Sequence, residues 1–266
     1  MPIITLISDW GLRDYYAAAV KGHLLTMMPD VNIVDITHTI EPYDLQMTSY
    51  ILKNAYPCFP KGTVHIIGIE TTESIDCKHI AMKLNGHYFV GADNGIPALI
   101  LDGNEPEKII ELNVLQDSYN YTFSERDLFA KVAVHLAKGL NIEDLGQPQN
   151  SLFEKLQAKP LEEKDKIVGT VEYVDNNGNL ITNISESTFK KHSKGKSFII
   201  NLPCESSISK ISTSYQDVDS TDLVAIFNSS GYLEIALNRD NISKLLNIEH
   251  DARITITFYE YLNLKP

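Results

Sequence analysis

Along the first half of the chain, short apolar runs alternate with longer stretches of helical spacing. Residues 3–7, Ile-Ile-Thr-Leu-Ile, form a near-continuous apolar run, the pattern of a strand buried on both faces. It leads directly into Ser8-Asp9-Trp10-Gly11. Residues 14–28, rich in alanine and stopped by Pro29, follow as a predicted helix. Further strand-like runs fall at 31–36, 64–69, 79–84, 87–90 and 108–114. Residues 43–56 carry apolar positions at helical spacing, with Pro42 near their start. The clearest helix is 124–138, where Leu128, Phe129, Val132, Ala133 and Leu136 share one face and Gly139 fits the C′ position. Strands alternating with helices predict a mainly parallel central sheet flanked by helices on both faces.

From residue 151 to 166 the pattern dissolves into polar and charged residues around Pro160, as in an interdomain linker. Beyond it, strands are predicted at 168–174, 180–184, 197–202, 223–227, 232–237 and 253–261. Asn-Gly, Ser-Gly and polar turns separate them, with short helical pieces such as 240–246. Many short strands with turn signals predict a smaller all-β, barrel-like domain. The expected organisation is therefore an α/β domain over 1–150, a linker over 151–166 and an all-β domain over 167–266.

Composition narrows the partners. A formal net charge of −12 argues against nucleic acid, which needs clustered Lys and Arg to neutralise phosphates. No apolar run approaches the length that spans a bilayer, and the N-terminus lacks the basic and small-residue pattern of a secretory signal. Cys58, Cys77 and Cys204 form neither C-x-x-C nor a disulfide framework, so a reduced, cytoplasmic protein is expected. None of the eight histidines is spaced as a metal pair; His38 and His65 read as structural, and no metal is expected.

Candidate chemistry begins at Asp9. In an open α/β sheet, ligands sit beyond the carboxyl ends of the strands, and a carboxylate there is placed to grip one. The chain has no G-x-x-x-x-G-K-[ST] loop and no G-x-G-x-x-G fingerprint. An acidic edge without a phosphate cradle suits hydroxyls or positive charge. Taken singly, the other polar strings have structural readings. Asp14 serves as a helix N-cap. Asp93-Asn94-Gly95 and Asn177-Gly178 are turn signals, Ser124 with Asp127 forms a capping box, and residues 228–231 make a tight turn.

Together and in order, these strings closely resemble the S-adenosyl-L-methionine hydroxide adenosyltransferase family, relatives of the enzymes that attach fluoride or chloride to the same substrate. The strings are Ser8-Asp9-Trp10-Gly11; Val34-Asp35-Ile36-Thr37-His38 with Glu41-Pro42-Tyr43-Asp44; Gly91-Ala92-Asp93-Asn94-Gly95; Thr122-Phe123-Ser124-Glu125-Arg126-Asp127; Asp175-Asn176-Asn177-Gly178-Asn179 with Thr182-Asn183-Ile184; and Phe227-Asn228-Ser229-Ser230-Gly231-Tyr232. The resemblance implies hydrolysis of S-adenosyl-L-methionine to adenosine and L-methionine by attack of water at C5′, with no cofactor. It also implies a homotrimer whose substrate lies between neighbouring subunits. By position, Asp9 is implied to bind the ribose hydroxyls, Asp14 and Tyr16 to line the amino-acid and ribose region, and Tyr43 to lie over the ribose. Phe123 is implied to contact the substrate near the reacting carbon. From the second domain, Asp175 is implied to accept from the methionine ammonium, Asn179 to bind adenine, Tyr215 to stack on it, and Ser229 with Ser230 to hold the carboxylate.

The chain departs from the family at the nucleophile. Where family hydrolases resemble one another in an Asp, an Arg and a His that prepare water, this chain has Glu70, Cys77 and Ser124. Glu70, ending a strand, is the expected proton acceptor or water-orienting group; Lys78 or Arg126 is the candidate for the positive charge. The halogenating relatives are not matched either, since their Tyr and Ser are replaced by Glu70 and Glu125. The alternatives are a non-catalytic protein that binds S-adenosylmethionine or adenosine, and transfer of another nucleophile to C5′.

Overall fold

The structure, a computed structural model, describes residues 1–118, 121–154 and 158–260. The chain divides into two compact units, Met1–Leu156 and Gln157–Pro266.

In the first unit the elements run β1 (Ile3–Ser8), α1 (Tyr16–Met27), β2 (Asn32–Thr37), α2 (Leu45–Ala55), β3 (Val64–Gly68), β4 (His79–Leu84), β5 (His87–Ala92), α3 (Ile96–Leu99), β6 (Lys108–Leu112), α4 (Ala130–Ala137) and β7 (Gly146–Pro148). They build a seven-stranded sheet of order β2-β1-β3-β5-β4-β6-β7. The apolar run of β1 is continuous because both its faces are covered. Ile4 and Leu6 join a core with Val20 and Leu24 of α1 and Val132 and Leu136 of α4. Ile7 joins the opposite core, with Leu45 and Leu52 of α2 and Ile96 of α3. Helices therefore flank both faces, as expected.

The expectation of a mainly parallel sheet gives way to a mixed one. β1–β2, β1–β3 and β3–β5 pair parallel, whereas β4–β5, β4–β6 and β6–β7 pair antiparallel. The physical reason lies at Asn85 and Gly86, with φ of 52° and 80°. Two successive left-handed residues close a two-residue hairpin, so β4 must run against β5.

Helix ends differ from expectation where the backbone decides. Asp14 does not cap α1: the N-cap is Tyr15, in helical conformation and without a side-chain cap. Asp44 caps α2 instead, accepting the Met47 N–H at 2.8 Å. The Ser124–Asp127 capping box is not formed either. A capping residue needs extended backbone, but Ser124 is helical at φ −59° and ψ −29°, and a π-helical turn, Glu125–Phe129, leads into α4. Gly139 does take the C′ position at φ 75°. Its N–H reaches the Leu136 carbonyl and the Leu140 N–H reaches that of His135, a Schellman motif.

The second unit holds β8 (Leu161–Glu163), β9 (Lys166–Val174), β10 (Leu180–Ser185), α5 (Glu186–Ser193), β11 (Ser197–Asn201), β12 (Ser207–Ile208), β13 (Leu223–Phe227), β14 (Tyr232–Leu237), α6 (Ile242–Leu246) and β15 (Arg253–Tyr259). All strand pairings are antiparallel, in the order β12-β11-β15-β9-β10-β14-β13, with β8 also on β9. The edge strands β12 and β13 approach each other, so the sheet is a nearly closed barrel. Leu233, Ile235 and Leu237 point into its core, and Glu234 and Ala236, by the two-residue period, point out. Tyr261, the last residue of the expected final strand, lies outside the described residues, as do 155–157 of the expected linker. Among the described residues no helix is long and apolar enough to cross a membrane.

Candidate functional site

β1 is the strand from which the fold turns both ways. The chain leaves it through α1 to reach β2 on one side, and later through α2 to reach β3 on the other. The connecting helices pack on opposite faces. Such a switch point opens a crevice outside the carboxyl ends of the strands, here at Ser8-Asp9-Trp10 beside Gly68-Ile69-Glu70.

Close packing shapes this edge. The Trp10 ring stacks on His38 at 5.6 Å between centroids and meets Phe123 edge-on at 6.1 Å. Phe123 in turn meets Tyr16 at 5.3 Å, and the Arg126 guanidinium lies 5.0 Å from its centroid. Gly68 makes the packing possible: a Cβ there would lie 2.6 Å from Trp10 Cζ2 and 3.3 Å from Glu125 Cγ. Behind Trp10, the buried Ser8 hydroxyl lies 2.6 Å from His38 Nδ1, and His38 Nε2 faces Asp35 at 3.1 Å. Ser8 is fully buried, so this Ser–His–Asp chain offers no accessible nucleophile and instead fixes the β1 terminus.

The Asp9 carboxylate accepts the Tyr43 N–H at 3.2 Å. An ionised carboxylate has about four lone-pair sites, so this hydrogen bond leaves accepting capacity for a ligand. Tyr43 itself is exposed and held at φ 65°. Asp14 is exposed on the turn before α1. The crevice thus gathers Asp9, the Tyr43 backbone, Phe123 and Tyr16.

Glu70 follows β3, exposed and in the left-handed region at φ 46°. Asn94 holds the backbone there, donating to the carbonyls of Ile69 at 2.9 Å and Glu70 at 3.3 Å. The loop closes on itself where the Ser74 N–H meets the Cys77 carbonyl and the Cys77 N–H meets the Ser74 hydroxyl. Burial pushes the Cys77 thiol up, and the carboxylates of Asp93, Glu70 and Glu73 push it further. Cys77 is therefore a neutral thiol and supplies no positive charge. Ser124 is buried and lines a cavity of about 460 Å³ with Glu73, Lys78 and Tyr121. Arg126 is engaged by Asp127, at 2.5 and 2.8 Å, which neutralises it within its own helix.

Glu125 was not among the expected site residues. It is 4% exposed, and its Oε1 accepts the Thr71 hydroxyl at 2.7 Å. Burial pushes its carboxyl above the ordinary range and the nearby Asp9 charge adds to this, against the Thr71 hydrogen bond. Its sequence signal is weak, since an acidic residue in the first turn of a helix is ordinary.

In the second unit, Asp175 closes the β9–β10 turn by accepting the N–H groups of Asn177 and Asn179 and the Asn179 side-chain amide at 3.0 Å. Asn179 and Tyr215 line a cavity of about 470 Å³ with Asn177, Asn238, Arg239 and Asp240. The Tyr215 hydroxyl donates at 2.5 Å to Glu234, a buried carboxylate on the outer barrel wall. Burial first, then Glu234 and Asp175, push the Tyr215 phenol up, so it stays a donor. Ser229 and Ser230 lie on the β13–β14 turn, shaped by Asn228 Oδ1. That turn leads into β14, whose third residue, Glu234, is the partner of Tyr215. The structure brings Asp175, Asn179 and Tyr215 together, and Ser229 and Ser230 lie on the turn that opens β14. Among the described residues, no group of three or more His, Cys, Asp or Glu is arranged to hold a metal ion.

Comparison with known proteins matches both units to one family. The family model described as SAM hydroxide adenosyltransferase N-terminal domain matches residues 4–146, and its C-terminal counterpart matches residues 169–255. The chain is 30% identical to a Methanocaldococcus jannaschii protein named (R)-S-adenosyl-L-methionine hydrolase, covering 97% of each. It is 25% identical to a fluorinase of Nocardia brasiliensis, covering 96% of each. A crystal structure of an uncharacterized conserved protein from Thermotoga maritima superposes with a TM-score of 0.87 at 31% identity, covering 96% of this chain and 99% of that one. With both units matched in order, this chain belongs to the S-adenosyl-L-methionine hydroxide adenosyltransferase family.

Proposed function

We propose that this chain hydrolyses S-adenosyl-L-methionine to adenosine and L-methionine. Water attacks C5′ in line with the sulfonium, the C5′–S bond breaks with its electron pair passing to sulfur, and one water proton is released. A sulfonium is a good leaving group, so the protein's task is to align water behind C5′ and exclude bulk solvent. No cofactor enters this scheme. The observation that carries the reading is Asp9, a carboxylate at the switch-point crevice that has accepting capacity to spare.

In this reading Asp9 grips the ribose hydroxyls, Tyr43 covers the ribose, Asp14 and Tyr16 border it, and Phe123 packs near C5′. Asp175 meets the methionine ammonium, Asn179 and Tyr215 take the adenine, and Ser229 with Ser230 take the carboxylate. Glu70, Cys77 and Ser124 occupy the family's water-preparing positions. The protein assembles as a homotrimer in which neighbouring subunits share each substrate, a closed symmetric form; a monomer by light scattering with undiminished ligand binding refutes this. The setting is cytoplasmic, which the free thiols of Cys58, Cys77 and Cys204 support.

A second reading, a binding protein without turnover, is favoured by the neutral Cys77 thiol at the family's arginine position. One experiment separates them: incubation of purified protein with S-adenosylmethionine and chromatography of the products. Adenosine and methionine in equal amounts support hydrolysis. Bound, unchanged substrate supports the binding protein, and a different 5′ product indicates another nucleophile.

A further inference from the structure

Glu125 occupies a costly place. It opens the π-helical turn after Ser124, at the carboxyl ends of β1 and β3, with its stem over Gly68 and beside Trp10. One side-chain hydroxyl, that of Thr71, donates to it. The charge felt from the residue after β1 is another carboxylate, Asp9. On its own helix, Arg126 is turned to Asp127 and to the Phe123 ring. From β4, His79 Nε2 lies 2.8 Å from the Thr71 carbonyl, behind the donor. A carboxylate held this way contributes poorly to stability, since its desolvation is not matched by a cation. Ionisable groups kept in a crevice at such cost are candidates for chemistry.

Resting on the hydrolase reading above, we propose that Glu125 is the residue that holds the attacking water and takes its proton. Thr71 and the Glu125 backbone N–H fix the carboxylate, and of its roughly four accepting positions the remainder take the water. The step balances: water oxygen bonds to C5′, the C5′–S pair leaves with sulfur, and the water proton passes to the Glu125 carboxylate and then to solvent. The sulfonium supplies the positive charge that the protein withholds. Its arrival favours the ionised carboxylate just when a base is needed. Glu70, exposed on the loop after β3, then orients the entrance and does not carry the proton.

The test is adenosine release from S-adenosylmethionine by the wild type, Glu125→Gln and Glu125→Asp between about pH 5 and pH 8, with adenosine affinity measured by calorimetry. General-base removal costs roughly a hundredfold or more. We expect Glu125→Gln to lose about that much turnover while binding adenosine within about threefold of wild type. The acid limb of the wild-type pH profile should vanish in Glu125→Gln, and Glu125→Asp should recover part of the rate. Turnover by Glu125→Gln within about threefold of wild type overturns the proposal and leaves the hydrolase reading standing. Loss of adenosine binding along with turnover assigns Glu125 to pocket shape and also overturns it. A wild type that forms no adenosine overturns both.

Discussion

Gly68→Ala tests the packing on which the crevice depends. The added methyl would sit 2.6 Å from Trp10 Cζ2, 3.2 Å from Cε2 and 3.3 Å from Glu125 Cγ. Carbon atoms pack at roughly 3.5–4.0 Å, so the indole must retreat by about 1 Å. It has little room, stacked on His38 and set edge-on to Phe123. Overpacking of this kind costs about 1–3 kcal/mol. At about 2–4 °C per kcal/mol for a domain of this size, the melting temperature should fall by roughly 2–12 °C. Gly22→Ala is the control. Gly22 is exposed in α1 with nothing within 4 Å of its added Cβ, so alanine should stabilise by about 0.5–1 kcal/mol. Thermal melting followed by circular dichroism reads both, and adenosine release should fall for Gly68→Ala alone. If Gly68→Ala melts at or above the wild type, the tight Trp10–Gly68–Glu125 contact does not exist and the account of the crevice fails.

If Asp9 grips both ribose hydroxyls, 2′-deoxyadenosine should bind at least tenfold more weakly than adenosine, since a hydrogen bond to a charged group contributes roughly 1.5–3 kcal/mol; equal affinities in calorimetry remove Asp9 from that role. Tyr215→Phe strips the donor from buried Glu234 and should cost about 1–3 kcal/mol. Chemical denaturation reads this, and Glu234→Gln, which stays neutral, should cost less. His65 is buried beside His87, and burial foremost lowers its pKa from 6.5 to about 3. The unfolded chain therefore takes up a proton below pH 6.5 that the folded chain refuses, so stability is full above that pH and falls as pH drops toward 3. From pH 7 to pH 5 this group alone should remove roughly 2 kcal/mol, and a His65→Phe variant should show a shallower decline over the same window.

What the chain reveals of its fold follows the range of the interactions. The helix over 124–138 is legible because its apolar stripe and its Gly139 stop are local. The β1 run is legible because both faces of one strand are covered. The mixed sheet was also written locally, in Asn85-Gly86, yet period alone does not distinguish β4 from a parallel neighbour. The capping residues misled for a different reason. Asp14 and Ser124 have the right chemistry, but the first stands outside the turn and the second is already helical. Capping depends on backbone conformation, which tertiary packing around Phe123 sets.

The site divides along the same line. Asp9 stands out by its position at a strand end, and Asp175 with Asn179 only through the family resemblance of their string. Glu125 does not stand out, because its burial depends on Thr71, 54 residues earlier, and on the missing side chain of Gly68. That difference bears on the proposed reaction. Cys77 is a neutral thiol, Ser124 is a buried hydroxyl, and Arg126 is neutralised by Asp127. The Asp9 charge is left acting on Glu125. Two carboxylates in one crevice disfavour ionisation of the more buried member until a cation arrives. On the proposed reading that cation is the substrate's own sulfonium, so binding and activation of the base are one electrostatic event. A neutral thioether analogue such as S-adenosylhomocysteine cannot complete it. It should therefore bind with less proton release than S-adenosylmethionine in calorimetry run in buffers of different ionisation enthalpy. Equal proton release by the two ligands would mean that Glu125 does not sense the charge at sulfur.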